Sequence, residues 1–312
     1  MSTVATVPRS AARKRVFRIL GSAILLVLLA LLFPRQKVIQ AIESIPGSTL
    51  AAAVPVYLAL HFLGSFKWHI MVNGAEVRLP VLQSIRCYFS GLFANLFLPS
   101  VIGGDVVMMT LGAARTRKTE GIVSGTLASR AIDLAALGLL VFFAIVFFPR
   151  RMSTAGEKLM QLVLLTLIAG ALLACAIVFA LRRRLRGRAA AYWEAFESAW
   201  RHPGVTLAAL SLSLAMQTGL VALSAWIGAG CGIQLPVRAW LFAWPLAKLS
   251  GFVPVTLAGI GSRELVLPAL LAPFGADPAV SASVGLAWDA VLIAGCLVAG
   301  VIAKAAGLAH RQ

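Results

Sequence analysis

Residues 97–105 read FLPSVIGGD and residues 252–264 read FVPVTLAGIGSRE. Each runs Phe, aliphatic residue, Pro, a short apolar run, two glycines and then a charge. They interrupt two apolar stretches, 81–113 and 236–275, whose lengths do not suit ordinary membrane spans. The first is too long for one span of about 20 residues and too short for two plus a loop. The second is longer still, broken at Pro245, Pro254, Gly259, Gly261 and Pro268. Proline removes a backbone donor and clashes with the preceding turn; glycine lets the chain turn and approach closely. Each stretch is therefore expected to form two half-helices joined by a loop at membrane depth. Such backbone is tolerated only where it is buried in protein or faces a wet cavity.

The rest of the chain supports this reading. It has 312 residues, 60% hydrophobic and 12% charged, with a net charge of +17 and a mean hydropathy of +0.91. Soluble domains are nearer about 45–50% apolar and about 25% charged. A water-soluble enzyme, a disordered chain and a disulfide scaffold are excluded. Lys and Arg gather in short clusters between apolar runs, as in polytopic membrane proteins rather than in nucleic-acid binders. No nucleic-acid partner is expected. Cys87, Cys175, Cys231 and Cys296 are far apart and lack metal-ligand spacing, so no metal site is expected.

The fold class is an all-α integral membrane protein with about six full spans plus two re-entrant broken-helix hairpins. Spans are expected at 16–33, 49–66, 121–148, 159–181, 204–230 and 279–303. The first is read as a retained anchor, because its apolar core is long for a signal peptide and no clear cleavage site follows. Residues 1–15 form a basic amino terminus and 16–308 one polytopic domain, with repeat halves at about 49–181 and 204–308. By the positive-inside rule, the cytoplasm receives both termini, residues 67–80 with Lys67 and Arg78, the cluster Arg115, Arg117 and Lys118, and the dense cluster 182–188. Arg150 and Arg151 fall outside, a mild departure. The location is the inner (plasma) membrane. Ordinary double spans in place of the hairpins would give the same sidedness, with about ten helices. Residues 189–201 place Tyr192, Trp193, Phe196 and Trp200 at helical spacing. They are read as a helix lying at the interface or packed on the protein.

Pro99 and Pro254 lie 155 residues apart, near half the chain. One hairpin is expected to enter from the cytoplasm and the other from outside, the pattern of an inverted-topology repeat. Interrupted segments at matching positions in two halves point to a transport site near the midplane.

Charges at membrane depth cost about 2.5–3.5 kcal/mol on insertion scales, so they normally face a partner or a wet path. Arg86, Asp105, Arg130, Asp133, Lys248, Arg263, Glu264 and Asp289 stand out. Arg130 and Asp133, three apart, share a helix face. They form either a self-neutralising pair or a site where Arg130 also holds an anion. Arginine suits phosphate because its planar fork binds two oxygens. Arg86 and Lys248 would be further phosphate contacts or would snorkel to an interface. Asp105 is read as a helix cap or a ligand contact, and Arg263 with Glu264 as a hairpin-closing pair or a ligand contact. His61 is expected to be a packed core residue. There is no P-loop, H-E-x-x-H or G-x-S-x-G, and no cofactor is implied.

The run FLPSVIGGDVVMM, the SRAID segment at Ser129–Asp133 and the segment VPVTLAGIGSREL resemble the flippase-like transmembrane domain of lysylphosphatidylglycerol synthases, over roughly residues 15–305. The resemblance implies a protein that moves a phospholipid or lipid-linked group between leaflets. By match of motif, Gly103, Gly104, Asp105, Arg130, Asp133, Gly259, Gly261, Arg263 and Glu264 would lie at or near the path. Met108 and Ser129 stand where the family often carries Arg and Glu. The expected function is an anionic-lipid translocator, more likely a transporter than an enzyme. The alternatives are a membrane-embedded transferase using a lipid-linked donor, with Asp105 or Glu264 as base, and a membrane partner of a lipid- or glycan-modifying enzyme. Expected partners are a phospholipid or lipid-linked substrate, anionic head groups at the basic loops, and a second copy or an enzyme.

Overall fold

A computed structural model describes residues 27–28, 31–98, 101–146, 188–250 and 261–308, with isolated positions between 158 and 170. Among these residues every regular element is helical. Four helices are long and apolar enough to cross a membrane: α2 (Gly47–Gly74), α5 (Thr119–Val146), α7 (Pro203–Gly230) and α10 (Pro278–Leu308). They correspond to the expected spans 49–66, 121–148, 204–230 and 279–303. The spans 16–33 and 159–181 lie largely outside the described residues.

Local chemistry sets the helix ends. Pro203 opens α7 and Pro278 opens α10, where a missing N–H costs nothing and φ is already helical. The Asp277 side chain accepts the Ala279 N–H at 2.8 Å, satisfying an orphan donor of the first turn. After α2, Glu76 and Arg78 take positive φ of 59° each. Asn73 closes the turn by accepting the Leu79 N–H at 2.6 Å and donating to the Leu79 carbonyl at 3.0 Å.

Between the long helices lie two pairs of short ones. The first is α3 (Val81–Ala94) and α4 (Val101–Thr116); the second is α8 (Val237–Ser250) and α9 (Ser262–Leu271). Helix α3 has 14 residues, about 21 Å at 1.5 Å per residue, short of the roughly 30 Å hydrocarbon core. The two ends of the first pair meet. Lys118 Nζ, just past α4, donates to the Glu76 carbonyl, just before α3, at 2.6 Å. In the second pair Phe242, early in α8, stacks on Phe274, just past α9, with ring centroids 6.0 Å apart. Pro99, Pro254 and Gly259 lie outside the described residues.

Helix α1 (Arg35–Glu43) packs on α10, and Lys37 pairs with Asp277 at 3.0 Å. Helix α6 (Arg188–Ser198) packs on α5, where Ser124 Oγ donates to the Tyr192 carbonyl at 2.6 Å. Residues 188–198 are thus helical and packed on the protein. Trp68, Phe89, Trp240, Phe242 and Trp244 are fully buried. Leu127, Leu134, Phe143, Leu207, Trp226 and Val301 point outward. Only 33–44% of each spanning window is buried, which leaves a mostly apolar perimeter suited to lipid.

Candidate functional site

The long helices and the inner ends of the short ones converge on a cavity of about 140 Å³. That is room for several waters or one phosphate-sized group. Tyr57 and His61 reach it from the middle of α2, Arg130 and Asp133 from α5, Gln217 from α7, and Trp288 from α10. Asn95 and Gly104 come from the broken end of the first pair, Lys248 and Arg263 from that of the second.

Gly104 is demanded by close approach. A Cβ on its partner Gly91 would fall 2.6 Å from the Gly104 carbonyl oxygen, so α3 and α4 touch backbone to backbone. The Gly104 N–H donates to Asn95 Oδ1 at 2.9 Å. This carries Asp105 to Arg130, whose Nε donates to Asp105 Oδ2 at 2.8 Å and whose Nη2 pairs with Oδ1. The fork is bidentate, the strong form of an Arg–carboxylate contact. Asp105 therefore lies within α4 as an ion-pair partner. Arg130 Nη1 also reaches Asp133 Oδ2 at 3.3 Å. The adjacent Gly103 packs on Leu98, whose Cβ would lie 2.6 Å from an added Cβ.

Asp133 has two further partners. Ser213 Oγ of α7 donates to Oδ1 at 2.7 Å, and Lys67 Nζ of α2 pairs with the same oxygen. Lys67 was expected in a cytoplasmic loop. It lies instead within α2, 2% exposed, because the helix continues eight residues beyond the apolar run that ends at Phe66. His61, expected in the packed core, lines the cavity. Its Nδ1 lies 3.1 Å from the Tyr88 hydroxyl, and its ring centroid is 4.3 Å from that of Tyr57.

The second pair supplies a matching set. Gly261 caps α9 with φ 94°, a conformation that favours glycine. Its N–H donates to Glu264 Oε2. Arg263 Nη1 donates to Asp289 Oδ1 of α10 at 2.9 Å, and its guanidinium lies over Trp244, 5.7 Å from the ring centroid. Glu264 is fully buried and does not line the cavity. Glu264 Oε1 and Asp289 Oδ2 are buried without a hydrogen-bond donor among the described residues.

Lys248 differs from the other buried cations. Its Nζ donates to the neutral Gln217 Oε1 at 2.8 Å, and no carboxylate lies within ion-pair distance among the described residues. Arg86 is not brought to this cavity. It lines a separate cleft with Ser90, Phe93, Gly300, Ala303, Lys304 and Gly307. Gly259 is outside the described residues. Among those described, no cluster of three metal-ligating side chains occurs.

These features define a class: a membrane-embedded helical protein with a charged cavity among its long and short helices. The model of the lysylphosphatidylglycerol synthase transmembrane region matches residues 18–300, and the chain belongs to that family. No curated protein and no solved structure matches it.

Proposed function

We propose that this protein translocates an anionic lipid or lipid-linked group between the leaflets of the inner membrane, with both termini in the cytoplasm. The observation that carries the proposal is Lys248, a cation facing the central cavity whose one partner among the described residues is a neutral amide. A buried charge left this way costs free energy unless an anion arrives. The carboxylates lining the cavity, Asp105 and Asp133, are already engaged by Arg130 and Lys67. An incoming phosphate would meet Lys248 and the partly exposed face of Arg130, 34% accessible. The amino-terminal ends of α4 and α9 reach the cavity through Gly104 and Arg263. Their positive dipole ends favour the same charge.

The closed ends of the two short-helix pairs support re-entrant hairpins. The first pair closes beside the end of α2. The second closes beside the starts of α1 and α10, where Lys37 meets Asp277. Opposed hairpins around one cavity favour rocking of one half against the other. The two carboxylates that the transferase alternative would use are not free: Asp105 is held by Arg130 and Glu264 is buried away from the cavity.

Lys248→Ala tests the proposal, because removing this cation orphans no carboxylate. In proteoliposomes carrying fluorescent phosphatidylglycerol, inter-leaflet movement is expected to fall about tenfold, the worth of one charged hydrogen bond to phosphate. An unchanged rate in a folded variant would refute the site.

A further inference from the structure

Beyond the central cavity, α3 and α10 enclose a second cavity of about 350 Å³. It is independent of the translocation site and would exist whether or not lipid crosses. Arg86, Ser90 and Phe93 line one wall, spaced by four and three residues on one face of α3. Gly300, Ala303, Lys304 and Gly307 line the other, on the last turns of α10. The central-cavity residues Tyr88, Gly91, Leu92 and Asn95 occupy a different face of α3. One helix thus serves two sites.

The cleft is built for an anion with an apolar tail. Neither Arg86 nor Lys304 has a carboxylate within ion-pair distance among the described residues, so two cations meet here without compensation. Ser90 adds a hydroxyl that can donate. Gly307 gives the guanidinium its place, since a Cβ there would lie 3.1 Å from Arg86 Nε. Gly300 does the same for Phe93, whose ring would be 2.7 Å from an added Cβ. Phe93 and Leu308 supply apolar wall beside the charges. Lys304 is exposed and one turn from the end of α10, and Arg86 lies in the second turn of α3, so the charges sit near the end of the bundle; cations at a membrane surface attract acidic lipid.

We propose that Arg86, Lys304 and Ser90 form a second anion site, which holds the phosphate of a lipid head group or of a soluble phosphate compound at the rim of the bundle. Arg86 would engage two phosphate oxygens through its fork, and Lys304 would add a point charge.

The test is binding to the purified full-length protein, with three probes: pyrene-labelled phosphatidylglycerol, the same label on phosphatidylcholine, and inorganic phosphate as competitor. The probes are read on wild type and on Arg86→Ala, Lys304→Ala, Gly307→Leu and Lys248→Ala. Phosphatidylglycerol binding is expected to weaken about tenfold in each of the first two variants. Gly307→Leu should weaken it with both cations retained, by displacing Arg86. In a Lys248→Ala background, which removes a contact of the central cavity, the losses from Arg86→Ala and Lys304→Ala should persist, which separates the rim site from the translocation site. Competition by inorganic phosphate at equal concentration would assign the site to soluble phosphate; failure to compete would assign it to lipid. Because Lys304 is exposed, Lys304→Ala retains the fold. Unchanged binding in that variant, or equal binding of phosphatidylcholine, would overturn the proposal.

Discussion

Lys67, Arg130 and Arg263 each neutralise a carboxylate that apolar protein surrounds on most sides. Removing one partner of a buried pair leaves an uncompensated charge, at a cost of about 3–5 kcal/mol. Arg263→Ala leaves Asp289 without its paired cation. It should lower thermal stability in detergent by an amount in that range, whereas Arg263→Lys should recover part of the loss. A variant as stable as wild type would show that the pair contributes no net stability. The same residues show what the sequence discloses. Arg130 and Asp133 are three apart on one helix, so their contact is legible in spacing alone. The Arg263–Asp289 pair joins two helices across 26 residues, and no local pattern encodes it. Lys67 follows an apolar run, where positive charge ordinarily marks a span's end. Only the fold of α2 around Asp133 reveals it as buried.

Helix α3 shows how much an element can hold that its hydropathy does not. Arg86 is two residues before Tyr88, about 200° around the helix at 3.6 residues per turn, so the two cannot share a face. That separation was readable, but the cleft that receives Arg86 needed the last turns of α10, more than 200 residues away. The glycines of FLPSVIGGD read as part of a break, yet both lie within α4, where Gly104 lets that helix touch α3. Gly104→Val should force the helices apart and cost about 1–3 kcal/mol through overpacking, seen as a lower unfolding temperature; unchanged stability would mean that the pair can separate freely. At the start of α10, the hydrogen bond from Lys37 holds the Asp277 carboxyl below the usual carboxylate range, helped by the Ala279 and Val280 N–H groups. Its stabilisation is complete above the unfolded value of about 3.9. It is lost as pH falls through the lower folded value. The ion pair is exposed and worth little, so Asp277→Ala should cost about 1 kcal/mol, mostly through the lost cap. Thermal unfolding of variant and wild type should converge at strongly acidic pH and differ at neutral pH.

For the whole molecule, the question is whether each broken pair turns back or passes through. Charge alone does not decide it, because two full crossings return the chain to the same side as one hairpin. Length favours a hairpin: α3 spans about 21 Å, and Lys118 bonds back to Glu76 at the start of the pair. Phe97, at the inner end of α3, should then sit at depth while Arg78 and Asp277 lie at opposite surfaces. In a cysteine-free background, Arg78→Cys should react with an impermeant maleimide only from the cytoplasmic face and Asp277→Cys only from the other. Phe97→Cys should react slowly from both, since Phe97 faces outward from the protein and a bulky charged reagent does not enter the hydrocarbon core. Rapid labelling of Phe97→Cys from the face opposite Arg78 would mean that α3 and α4 cross the bilayer fully. The cavity would then have no membrane-depth loop beside it, and the opposed-hairpin basis for alternating exposure would be lost.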